Sequence, residues 1–180
     1  IASYYSLNKG YSKQSYPSSQ MGSIALLRQS FYDFQYYTKS DLNFTDLSME
    51  AWKSQMHLPR FFQTADKLEI LRASKIANEF NSSFIYLGSG NEYEAIDPLK
   101  KLNSKIVVPI NFPDAYDVSD PYISRLIPLS QLKHWELAPL NFKILKENNI
   151  EVAISSSGLK SADQFWKNIR LIIQSGVDKT

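Results

Sequence analysis

The chain has 180 residues, 43% of them hydrophobic, which suffices for one compact domain and does not call for two. Twenty Lys and Arg against 18 Asp and Glu leave a formal charge of +2 with no basic block, so nothing in the balance points to nucleic acid or a membrane surface as partner. The absence of cysteine excludes disulfides and thiolate chemistry, and the sequence has neither an apolar run long enough to span a bilayer nor a signal-peptide pattern.

The chain opens at Ile1 without an initiator Met and stops after GVDKT with no closing feature, which reads as a processed protein or a piece of a larger one. Residues 1–58 form an N-terminal region. Its first stretch, IASYYSLNKGYSKQSYPSSQ, has little periodicity and reads as an irregular surface segment. Ile24, Leu27, Phe31 and Phe34 then recur at helical spacing and predict an amphipathic helix to about Tyr37. DLSMEAWKSQM is a weaker helical stretch before Pro59. The aromatic-rich FYDFQYY reads mainly as core and rim packing, with a ligand-stacking platform as the sharper alternative.

Residues 59–180 read as four strand–helix units. RFFQTA is the first strand; Asp66 with Glu69 three residues on opens a helix whose inward face is Ala73, Ile76, Ala77 and Phe80. SFIYLG is the second, followed by Asn91 as an N-cap, with Asp97 before Pro98 as a fresh cap. KIVVPI is the third. NFPDAYDVSDPYISRLIPLS, with three prolines, is expected to be a loop over the strand ends that closes with a helix near QLKHWEL. EVAISS is the fourth, and Ser161 with Gln164 predicts a capping box for a helix that turns Phe165, Ile169, Ile172 and Ile173 inward and stops at Gly176.

Strands that are apolar throughout and alternate with helices predict an α/β fold with a parallel sheet covered on both faces. Four strands suit a small doubly wound domain or about half of a (β/α)8 barrel. In both, chemistry belongs at the C-terminal strand ends, which makes Gln63, Ser89, Asn91, Glu92, Asn111, His134, Ser157 and Lys160 the candidate pocket residues.

GSGNEY offers a Gly-x-Gly turn before a helix, a weak phosphate signal. Tyr93 stands where the dinucleotide fingerprint needs its third glycine, and a tight turn explains the glycines as well. SSSG is not the Gly-x-Ser-x-Gly elbow of serine hydrolases, and the only imidazoles available to activate a serine are His57, expected at the surface, and His134.

The stretches YPSSQMGSIALLRQSFYDFQYY, FFQTADKLEILRASKIANEF, GSGNEYE, VVPINFPDAYDVSDP, LKHWELAPLN and EVAISSSGLKSADQFWKNIR together resemble the amidohydrolase superfamily. They are most similar to its imidazolonepropionase-like branch, in the form of long secreted proteins with tandem amidohydrolase regions. The resemblance implies a barrel whose strand ends hold one or two divalent metals, zinc or similar, that activate water against a C–N bond. It also implies a periplasmic or secreted location.

The family's ligands are an early His-x-His pair, a mid-barrel Lys or Glu, two later histidines and a last-strand aspartate. The early pair is implied upstream of Ile1. The later histidines are implied near Gln63 and Gly88, and the aspartate near Ser157, where this sequence has Gln, Gly and Ser. Such side chains do not replace imidazole and carboxylate as metal ligands, so no cofactor is expected in this segment by itself.

Two accounts follow. The segment is a degenerate barrel region kept for structure, interaction or small-molecule binding; or its parent is a working metal-dependent hydrolase whose ligands lie elsewhere, with Asn111, Glu92 or Lys160 shaping the pocket. A third reading is a small-ligand or phosphate-binding α/β domain. The open sheet edges are expected to be covered by the N-terminal segment, the remainder of the parent chain or another copy.

Overall fold

The computed structural model describes residues 2–40 and 43–177. Ile1 and residues 178–180, on which the reading of the chain ends rests, lie outside the described residues. The elements run β1 (Ser3–Ser6), α1 (Gln20–Lys39), α2 (Leu47–Gln55), β2 (Arg60–Gln63), α3 (Lys67–Glu79), β3 (Ile85–Leu87) and α4 (Ile96–Lys100). They continue with β4 (Ile106–Pro109), α5 (Pro121–Leu126), α6 (Leu129–Leu137), α7 (Asn141–Glu147), β5 (Val152–Ser155) and α8 (Ala162–Gln174). Among the described residues, no helix is long and apolar enough to cross a membrane.

The fold is α/β with five parallel strands in one sheet, in the sequential order β1-β2-β3-β4-β5. That order separates the two architectures left open by the sequence. A doubly wound sheet reverses its strand order at a switch point, whereas neighbouring parallel strands joined by right-handed crossovers put every helix on the same face. The packing agrees with a partial barrel. Phe31 of α1, Ile70, Ala73, Ile76 and Ala77 of α3, Leu99 of α4 and Leu145 of α7 share one core with Phe62, Tyr86, Ile106 and Val108 of the sheet.

The opposite face, carrying Tyr4, Phe61, Ile85, Leu87, Val107 and Ala153, has no buried residue among those described. The expectation of a sheet covered on both faces is therefore corrected: among the described residues one face of the strands stays partly exposed. In a barrel the second face is the interior, and it too selects apolar side chains, so strand composition does not distinguish the two cases.

The N-terminal stretch needs a second correction. Ser3–Ser6 is a strand, paired residue for residue with Arg60–Gln63. Tyr5 inserts between Phe31 and Phe62, with ring centroids 6.3 and 6.4 Å away, and this burial holds a four-residue strand too short to show periodicity. The sheet therefore has five strands where four are read from the sequence.

Asp66 and Ser161 cap α3 and α8 as expected, their side chains accepting from the Glu69 and Gln164 amides. Asn91 makes no side-chain cap bond. Asp97 does not start a helix either: α4 begins at Ile96, which leaves Pro98 in the first turn, where its missing N–H has no intrahelical partner to lose. The long loop contains α5, capped by Asp120 ahead of Pro121, and α7 grows directly out of a 3₁₀ turn at Ala138–Leu140, without a cap for the sequence to show.

α1 is tied to α3 by Glu79, which accepts from Arg28 Nε at 2.7 Å and from the Tyr32 hydroxyl at 2.8 Å. The Arg28 hydrogen bond first, then that of Tyr32, hold the Glu79 carboxyl below its usual range. A depressed carboxylate stabilises the fold above its unfolded pKa of roughly 4.3, and that contribution disappears as pH falls through the folded value. Urea unfolding of the parent sequence and Glu79→Gln is expected to differ at pH 6 and to converge as pH falls below about 4.

Candidate functional site

Strand parity decides which side chains reach the barrel interior. Gln63 pairs with Ser6 and Leu87, Leu87 with Val107, Val107 with Ala153 and Pro109 with Ser155, so all of these share one face. The last inward residues of the five strands are Ser6, Gln63, Leu87, Pro109 and Ser155, all half-buried. This row is neutral. It contains no imidazole, carboxylate or thiolate, so these tips do not fit the divalent metal implied by the family resemblance. Among the described residues, no group of three or more His, Asp or Glu side chains is placed to hold a metal ion.

The predicted pocket residues fall into three groups. Gln63 is at the tip of β2, where the Tyr4 hydroxyl donates to its Oε1 at 3.0 Å. Ser89, Asn91, Glu92 and His134 gather beyond β3. Asn111, Ser157 and Lys160 lie at the ends of β4 and β5 and are exposed.

Glu92 is completely buried. Its Oε1 accepts from the Ser89 amide at 2.6 Å and the Gly90 amide at 3.1 Å, while Oε2 accepts from Gly90 N at 3.1 Å and Asn141 Nδ2 at 2.7 Å. Buried Asn141 turns its Oδ1 to the Tyr93 amide at 2.9 Å, closing a network between the β3 turn and α7. The amides in GSG that would receive a phosphate therefore receive the chain's own carboxylate. Gly88 is required by this arrangement, since a Cβ there would lie 2.5 Å from Glu92 Oε1. With both oxygens engaged and no solvent access, Glu92 organises the turn; this geometry leaves no route for it to act on a substrate as acid or base.

His134, half-buried on α6, places Nδ1 3.0 Å from the Tyr93 hydroxyl, and the two rings stack with centroids 6.1 Å apart. Burial, and secondarily the Glu92 charge, raise the Tyr93 phenol above its ordinary value, and the tautomer of the imidazole sets which of the two groups donates. His57 is exposed. Neither histidine hydrogen-bonds a serine among the described residues, so the pair needed for a serine nucleophile is not assembled.

At the far end of the sheet, SSSG forms a turn in which the Ser157 amide donates to Ser155 Oγ at 3.1 Å. Gly158 adopts φ +79°, and a Cβ there would meet Asn111 Nδ2 at 2.5 Å, so the glycine allows the loops after β4 and β5 to touch. Lys160 Nζ lies 3.9 Å from Asp114, both well exposed. Ser155, not Ser157, is the inward residue at this tip.

A cavity of about 610 Å³ opens at the ends of β1 and β2, where Gln63 is the one predicted pocket residue in its wall. Its walls include Ser6, Lys9, Ser19, Gln20 and Glu69 as well as Gln63. The sequence reading identifies only Gln63 of these. The others become neighbours because residues 3–6 form a strand, and SYYS carries only two β-favouring tyrosines as its signal.

Neither family models nor curated proteins give a match to the chain. Among solved structures it is similar to the amidohydrolase from Thermotoga maritima MSB8, with a TM-score of 0.64 and 19% sequence identity over 91% of this chain. The match covers 42% of that protein, so the chain spans less than half its length. The likeness establishes an amidohydrolase-like fold, here as a partial barrel.

Proposed function

We propose that this chain is a non-catalytic segment of an amidohydrolase-like protein of the imidazolonepropionase-like branch, serving the barrel as framework and as a small-ligand surface. In this reading the parent hydrolyses C–N bonds of cyclic amides or related small substrates, with zinc or a similar metal held by residues outside the segment. The supporting observation is the neutral inward row of Ser6, Gln63, Leu87, Pro109 and Ser155. A framework that keeps parallel strands and helical packing without a set of metal donors at its tips is suited to structure rather than to activation of water.

The same reading names the partner. A (β/α)8 barrel has eight strands and this sheet has five, so three further βα units of the parent complete it, whereas a second copy would bring five and overshoot closure. A periplasmic or secreted location accompanies the branch assignment. Metal analysis tests the proposal. The 180-residue chain, equilibrated with zinc and desalted, is expected to retain less than about 0.1 equivalent. In the longer polypeptide, replacing Gln63 and Ser155 together by alanine is expected to leave the metal content unchanged. Stoichiometric zinc in the short chain, or metal loss in the double variant, would overturn the reading.

A further inference from the structure

We propose that the cleft at the tips of β1 and β2 is a metal-independent binding site for a small molecule bearing one carboxylate flanked by hydroxyl or amide groups. The proposal rests on the reading that this segment's strand tips work without a metal, and it supplies the ligand class and the place. The cavity, at about 610 Å³, is of the size of small-molecule sites, and it opens where parallel α/β folds carry their sites, at the C-terminal strand ends.

Its chemistry is specific. Lys9 contributes an ammonium whose partner is the Gln14 carbonyl; among the described residues, no carboxylate lies within ion-pair distance of it. Glu69, also in the lining, has both oxygens engaged, one by Gln20 Nε2 and the other by the Ala65 amide at 2.7 Å. With the carboxylate already held by two donors, the one ammonium can pair with a single negative group and has no second cation beside it for a dianion such as phosphate.

Gln63 adds direction. The Tyr4 hydroxyl donates to Oε1, which orients the amide so that Nε2 is the group left to donate, its bond to the Thr64 carbonyl being long at 3.4 Å. Ser6 and Ser19 add hydroxyls that both donate and accept. No aromatic side chain lines the cleft, so recognition rests on hydrogen bonds and one charge-assisted contact rather than ring stacking.

The test is an amide-resonance titration of the 180-residue chain with glycerate, with glycerol as the uncharged control, repeated in EDTA. Glycerate is expected to shift the Lys9, Gln20 and Gln63 amides saturably, glycerol to bind at least about tenfold more weakly, and Lys9→Met to weaken glycerate by about tenfold while leaving glycerol unchanged. Binding that persists in EDTA supports the proposal. Absent or non-saturable shifts, equal affinity for the two probes, or an unaffected Lys9→Met variant would overturn the site alone; glycerate binding lost in EDTA would overturn the metal-free reading beneath it.

Discussion

Glu92→Ala is expected to lower the unfolding free energy by about 3 kcal/mol, a large share of the 5–15 kcal/mol typical of a domain. The carboxylate is fully buried and satisfies the Ser89 and Gly90 amides and Asn141 Nδ2, so truncation leaves three donors without partners in a dry site. Glu92→Gln keeps the shape but turns one acceptor into a donor facing other donors, and roughly half the effect is expected from it. Urea denaturation at neutral pH checks both. A change below about 0.5 kcal/mol for Glu92→Ala would mean that the turn does not depend on this carboxylate. The contrast matters because a carboxylate positioned to act on substrate, when removed, typically takes activity and leaves or improves stability.

The same residue marks where sequence reading succeeds and fails. GSGNEY is legible as a tight turn after a strand, but Asn141, which closes the network around Glu92, lies 49 residues away, and one asparagine in PLNFK carries no signal of burial. The strand–helix alternation from residue 59 is legible because caps such as Asp66 and Ser161 are local and the helix faces repeat over several turns. β1 is not, since four residues cannot display a period and Tyr5 gains its role only through Phe31 and Phe62. Nor is the one-sided helix layer: an inward strand face in a barrel and a helix-covered face in a doubly wound sheet call for the same apolar residues, and strand order alone distinguishes them.

The candidate site divides for the same reason. Residues chosen by their nearness to strand ends in sequence include inward ones, such as Gln63, and ones carried outward by a turn, such as Ser157. Parity is set by register, and a shift of one residue transfers a side chain to the other face. Ser155 therefore takes the place at the β5 tip for which Ser157 is the sequence's candidate.

On the proposed reading the sheet is an incomplete barrel that three further strands of a longer polypeptide complete. Ser3 N–H donates to the Pro59 carbonyl, which turns the backbone groups of Tyr4 away from β2; Ile106 and Ile110 N–H donate to the Glu151 and Ser155 carbonyls, which turns Val152 and Ile154 away from β4. The outer amides of both edges thus face where the completing strands belong. Hydrogen exchange of the 180-residue chain is expected to find the amides of Tyr4, Val152 and Ile154 about a thousandfold or more less protected than those of Phe62, Tyr86 and Val108, with protection appearing at the edges in the longer polypeptide. Edge amides as protected as the central ones in the 180-residue chain by itself would contradict the account.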